Sequence, residues 1–316
     1  MLTMVDRKND YAFKRIFGHE KTKDILARFL AVVLKVPIEP DELSVARTEF
    51  SPAYMTDKAC MLDIQVRRSA HHEKMNIEMQ VASDGDLARR VLFYWSKGYI
   101  EDLRKGEDYG TLPKMISIIV VDSNVYEWKR KTKFHGAFQV MEPEEGKVFS
   151  DALEIHVLEL PKMRKQSSKK NLSALECWCL YLDNAKGELM DKIAAQEPLI
   201  RRALEEEKVF ETDPKERRLY ELREKGRRDF DSAVSASAKR NRKEGRQEGL
   251  QEGEQKGRQD VQHEVASAML AKKIPLDLIS EFTGLTVKDI KALRRGADRK
   301  AHAKVSKKVA RPRRTT

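Results

Sequence analysis

The stretch DKACMLDIQVRRSAHHEKMNIEMQ, Asp57 to Gln80, decides the fold. It reads as two strands joined by a charged, polar turn, RRSAHHEK. The first strand carries Met61, Leu62, Ile64 and Val66, with Asp63 among them. In the second, Met75, Ile77 and Met79 alternate with Asn76, Glu78 and Gln80. A period of two sends the apolar residues to one face and the polar set to the other.

An aspartate inside an apolar strand costs several kcal/mol if it is buried unpaired. It is tolerated when a partner or a metal is present. Pairing of the strands brings Asp63 toward Glu78. Two hard carboxylates side by side, with positions open to water and phosphate, suit Mg²⁺, with Mn²⁺ as substitute. Such an ion can generate a hydroxide nucleophile and steady a phosphoryl transition state. Gln80 points to the same side as Glu78 and is placed to orient water or phosphate. The competing expectation is an amphipathic hairpin whose acidic face is wet, with Asp63 held in a salt bridge.

Around this hairpin the pattern is α/β. Asp10 to Lys35 reads as two helices broken at Gly18, with Ile25, Leu26, Phe29, Leu30, Val33 and Leu34 at core-facing spacing. Asp10 reads as the N-cap of the first helix, with a place in the acidic site as the alternative. Leu43 to Thr48 reads as a short strand, and Glu49 follows as a distant site residue or a solvated carboxylate. A long helix starts near Asp86 with Leu87, Val91, Tyr94 and Trp95 at helical spacing, and Arg89, Arg90 and Lys97 on or beside it. Lys114 to Asp122, KMISIIVVD, predicts a strand buried on both faces. Phe134 to Val140 and Leu153 to Leu160 predict two more, with His156 at the surface. Pro161 and the basic KMRKQSSKK mark a boundary. Leu172 to Glu207 and Pro214 to Ala238 then predict charge-rich helices, with Trp178 and Tyr181 in the core. The fold class expected is a mixed sheet covered by helices, followed by a helical C-terminal region.

Gly245, Gly249, Gly253 and Gly257 recur every four residues in EGRQEGLQEGEQKGRQ. Each glycine disfavours a helix by about 1 kcal/mol relative to alanine. The regular period therefore favours a self-associating helix, and a homo-oligomer, over a flexible tether. From His263 to Gly296 the chain reads as helix, break at Ile274-Pro275, short helix, a turn at Thr283-Gly284-Leu285, and a final helix capped by Thr286. Its basic Lys288, Lys291, Arg294 and Arg295 come with few base-reading side chains, so protein contact or generic DNA contact is expected rather than sequence reading.

The chain has 316 residues and a formal net charge of +11. The segment from Gly296 to Thr316 holds eight Lys or Arg against Asp298, so +7 of that charge sits in the tail. The body is only mildly basic, and a polyanionic partner is reasonable. The tail, 297–316, is expected to be disordered and to touch phosphates without sequence preference. Cys60, Cys177 and Cys179 form neither a zinc pattern nor a disulfide framework, which points to a reducing, cytoplasmic compartment, with nucleoid association compatible. The early charged residues do not form a signal peptide, and no stretch is apolar enough to cross a membrane.

An Asp on one strand followed by Glu-x-Lys on the next is the signature of restriction-endonuclease-like nucleases, the PD-(D/E)xK superfamily. The stretch LDI…NIEMQ, with Gln80 in the lysine position, resembles the Rpn branch of recombination-promoting nucleases and transposase-like proteins. NDYAFKRIFG (Asn9 to Gly18), the run from Arg89 to Ile118, and the glycine-spaced segment from Glu244 to Gln259 carry the same resemblance in the same order. It implies metal-dependent DNA endonuclease activity, with Asp63 and Glu78 as metal ligands and Gln80 in the third catalytic position. Gln80 cannot supply the positive charge of a lysine; Lys58 and Lys97 are the candidates to compensate. The resemblance also places Arg90 and Tyr94 at the border of the site. There arginine could grip a phosphate and tyrosine stack on a base, against the alternative of a helix with its basic residues in water. The domains expected are a nuclease-like domain at 1–160, a helical extension at 161–240, a glycine-periodic segment at 241–262, a helix-turn-helix-like module at 263–296 and the basic tail. The other functional reading is a non-catalytic DNA-binding or interaction protein on the same scaffold.

Overall fold

The computed structural model describes residues 5–45, 64–80, 86–127 and 131–295. Helix α1 (Asp10–Phe17) starts at Asn9, whose backbone is extended and whose side chain accepts from the Tyr11 and Ala12 amides. Asp10 is therefore not the cap expected. The capping geometry needs extended backbone and a side-chain oxygen over the first free amides, and Asn9 provides both. Helix α2 (Lys23–Leu34) ends at Lys35, in the left-handed region at φ 60°.

Strands β1 (Leu43–Val45), β2 (Ile64–Arg68), β3 (Glu73–Gln80), β4 (Lys114–Val121), β5 (His135–Met141) and β6 (Val148–Glu159) form one sheet in the order β1-β2-β3-β4-β6-β5. The β2–β3 pair is antiparallel, with Ile64 opposite Ile77; β3–β4 and β4–β6 are parallel, and β5 closes the edge antiparallel to β6. Helix α3 (Leu87–Ile100) is the crossover between β3 and β4. As the β-branched run predicts, Met115 to Val121 are buried throughout.

The sheet has two covered faces. On one, Ile64, Val66, Met75, Ile77, Ile116, Ile118 and Val120 meet α1 and α2. The same core takes in α4 (Leu160–Arg164), α5 (Ala174–Leu182), α6 (Gly187–Gln196) and α7 (Pro198–Glu207). The apolar core thus runs straight past position 160, where Pro161 occupies the first turn of α4. Trp178 and Tyr181 are fully buried in it, as expected. Cys177 and Cys179 are buried beside them, and burial pushes both thiols up, Cys177 to about 11. On the other face, Ile119, Val121, Ile155 and Val157 pack with Leu87 and Val91 of α3.

Contacts divide the chain into units Met1–Arg228 and Asp229–Thr316. The first ends with α8 (Val209–Thr212) and the opening turns of α9 (Pro214–Ala271), where Tyr220 packs on Tyr11, Ala12 and Phe210. Arg7 is buried there, donating to Glu207 at 2.6 and 3.0 Å, and the Tyr181 hydroxyl donates to the same carboxylate. In the second unit the glycine-periodic segment is helical. Among the described residues, nothing outside the helix approaches within 4 Å of where a Cβ would sit on any of the four glycines. No helix among the described residues is long and apolar enough to cross a membrane.

Candidate nuclease site

Alternation along β3 sends Met75 and Ile77 into the larger core and Lys74, Asn76 and Glu78 to the α3 face. That face is buried: Asn76 is 1 % and Glu78 9 % exposed. The competing reading of a wet acidic face does not hold, because the crossover helix α3 covers this face. Asn76 Nδ2 donates to Glu78 Oε1 at 3.0 Å, while Asn76 Oδ1 is buried without a hydrogen-bond partner. Burial pushes the Glu78 carboxyl up, and the Asn76 hydrogen bond and the charge of Arg90 pull the other way. Arg90 on α3 is half-buried and acts electrostatically on Glu78, and half-buried Tyr94 lies one turn further along. Lys97 faces solvent, its ammonium 4.7 Å from the centre of the Phe93 ring.

Glu78 stands one step beyond the Ile64–Ile77 pair, opposite Ile119 of β4. Asp63 immediately precedes Ile64 in sequence and lies outside the described residues, as do Glu49 and Lys58. Gln80 ends β3, paired through its backbone with Val121.

Helix α1 is bracketed by contacts to this end of the sheet. Lys8, just before it, donates to Asp122 at 2.6 Å, directly after β4. A Cβ on Gly18, just after it, would lie 3.5 Å from Ile64 at the start of β2. Asp10 and the buried Lys14 sit between those anchors, 3.8 Å apart, and Asp10 Oδ2 is buried without a hydrogen-bond partner. Arg164 ties Asp122 to Asp183, a cluster with no signature in the sequence because its members are far apart in the chain.

Two other buried groups escape sequence reasoning. Lys74 is buried against Gly98 O at 3.2 Å and Glu101. It stands four residues before Glu78, about 13 Å along the strand, so it belongs to a different place. Its signal was a lysine at an inward position of the alternation. His156, expected at the surface, is 4 % exposed. It faces the larger core beside Ile118, and the neighbouring strand β5 covers it with His135. His156 Nε2 donates to Glu154 at 2.7 Å, which leaves Nδ1 to accept from His135 Nε2 at 2.8 Å; Lys114 completes the row on Glu154 at 2.6 Å.

In the second unit, α9 ends at Ala271 and α10 (Leu276–Thr283) stops at Gly284, φ 71°. The Thr286 hydroxyl accepts from the Asp289 amide and caps a helical segment at 287–295. Ala266, Ile279 and Ile290 form the core of this three-helix arrangement, which is the layout expected from the sequence.

A mixed sheet with a helical crossover between its parallel central strands, and a buried carboxylate near the end of the strand entering that crossover, agrees with the restriction-endonuclease-like class of nucleases. The sequence model of the PD-(D/E)XK nuclease family transposases matches residues 7–237, and the chain belongs to that family. Residues 260–295 match the Rpn/YhgA-like nuclease family, C-terminal HTH domain. No curated protein and no solved structure matches the chain. The family is one of nucleases associated with mobile elements, and its C-terminal module is of the helix-turn-helix type.

Proposed function

We propose that the protein is a metal-dependent DNA endonuclease that hydrolyses phosphodiester bonds. The observation that carries this reading is Glu78, a carboxylate buried under α3 at the end of the sheet, with Arg90 acting on it. The donor set fits a hard divalent cation. Only one Glu78 oxygen takes the Asn76 amide, and the buried Asn76 Oδ1 beside it lacks a hydrogen-bond partner. Asp63 and Glu78 would hold Mg²⁺, with Asp10 and Glu49 as accessory acids and Mn²⁺ as substitute. When bound, the ion supplies Lewis acidity and a water of lowered pKa. Of the chain's own groups, Gln80 orients water or phosphate through its amide, Arg90 neutralises phosphate charge, and Tyr94 offers a stacking surface to a base. Hydrolysis leaves a 5′-phosphate and requires no strand transfer. DNA is the partner, and a second copy along the glycine face of α9 belongs to the same reading.

The test is supercoiled-plasmid nicking in Mg²⁺, Mn²⁺ and EDTA, beside Asp63→Ala and Glu78→Ala variants shown to be folded. Nicking that disappears in EDTA and in both variants is expected. Nicking that survives both variants would sink the assignment. Gln80 favours one second reading, a DNA-binding protein that has kept the scaffold without catalysis. It is supported if folded protein retards DNA and cuts none in either metal.

A further inference from the structure

The helix-turn-helix module carries an apolar groove and a separate apolar ridge. The groove is an open cavity of about 640 Å³ lined by Leu270, Ile274, Leu276 and Leu293, with the cations Lys273 and Arg294 also on its wall. The ridge lies on α10, where Leu278 and Phe282, four residues apart, are 43 % and 74 % exposed. The acids Asp277 and Glu281 flank these two residues in sequence and are exposed as well. The exposure of Leu278 and Phe282 means that they do not fill the groove of their own module.

From the opposite charges and the apolar side chains of these two surfaces we infer that the groove of one copy takes the α10 ridge of a second copy, Phe282 entering the floor lined by Leu270, Ile274, Leu276 and Leu293, and Asp277 and Glu281 meeting Lys273 and Arg294. Apolar knobs at i and i+4 with charges beside them are the usual way a helix sits in such a groove. The contact is heterologous: ridge and groove are different surfaces, so each pairing leaves one of each open, and assembly closes into a ring or extends. A DNA backbone would satisfy the cations but has nothing to put into the apolar floor. This contact is separate from the glycine face and independent of any cleavage activity.

Charge exchange in the full chain tests it, read by sedimentation velocity over a range of concentrations, with far-UV circular dichroism as the folding check. Wild type is expected to self-associate. Lys273→Glu with Arg294→Glu makes groove and ridge both acidic; Asp277→Lys with Glu281→Lys makes both basic. Each double variant alone should associate at least about tenfold more weakly. Mixed one to one, the two should assemble, because each groove then meets a ridge of opposite sign. Phe282→Asp should weaken assembly as well. A wild type that stays monomeric overturns the inference. So do double variants that assemble as wild type does, an outcome favouring the glycine face, and so does a mixture that fails to assemble.

Discussion

Replacing Glu78 by glutamine keeps its shape and removes its charge, which separates chemistry from folding at one atom. Burying a carboxylate costs desolvation, and Asn76 can still donate to the amide oxygen of a glutamine. Glu78→Gln is therefore expected to melt at or above the wild-type temperature while nicking is lost; a large drop in melting temperature would make Glu78 a structural residue. Arg7 gives the opposite expectation. It is buried in a two-pronged pair with Glu207, so Arg7→Ala strands a charge and should cost about 3 to 5 kcal/mol in chemical denaturation. His135 makes a pH prediction. Burial and the neighbouring His156 hold it down at about 4, below its ordinary 6.5, so the fold prefers it neutral. Its stabilisation is complete above 6.5 and is lost as pH falls toward 4. Glu154, held down at about 2 by His156 and Lys114, adds stabilisation that is lost as pH falls from 4.5 toward 2. Melting temperature should decline below pH 6.5, and His135→Gln should flatten the upper part of that decline.

At the level of single elements, two helices offer measurements. The Asn9 side chain caps α1 and donates to Glu224, so Asn9→Ala should cost at least about 1 kcal/mol and loosen α1 amides in hydrogen exchange. In α9 the glycines have open space around them, so each Gly→Ala at 245, 249, 253 and 257 should stabilise the helix by about 1 kcal/mol and slow local exchange. Elements declared themselves in sequence where one period dominated. The β3 alternation, the β-branched β4 and the stripe of α2 all stand where expected, and the turn at Gly284 announced the C-terminal module. What sequence did not reveal was which helix covers which face. Asn76 and Glu78 look like a solvated edge until α3 is laid over them, and His156 looks exposed until β5 pairs beside β6. Adjacent polar residues also hid the cap: Asn9 and Asp10 suit the role equally by composition, and only backbone conformation separates them. The carboxylate Glu78 was legible in the strand alternation, and Arg90 beside it only through the family resemblance. Lys74 and the Asp122–Arg164–Asp183 cluster were not, because long-range ion pairs leave no local pattern.

Over the whole molecule, charge is concentrated rather than spread. The segment from Gly296 to Thr316 carries +7 of the net +11, so deleting 297–316 should make the salt dependence of DNA binding shallower, measured as the slope of log affinity against log salt. An unchanged slope would place the phosphate contacts elsewhere. The large core that joins sheet and helices also contains the paired thiols of α5. Both are buried and both are held as the unreactive protonated form. An alkylating reagent can reach them only when that core opens. In a Cys60→Ser background, the modification rate of Cys177 and Cys179 becomes a clock for opening events too rare for spectroscopy to register. Any DNA, metal or second copy that tightens the first unit will slow that clock, and so can be detected without a cleavage assay.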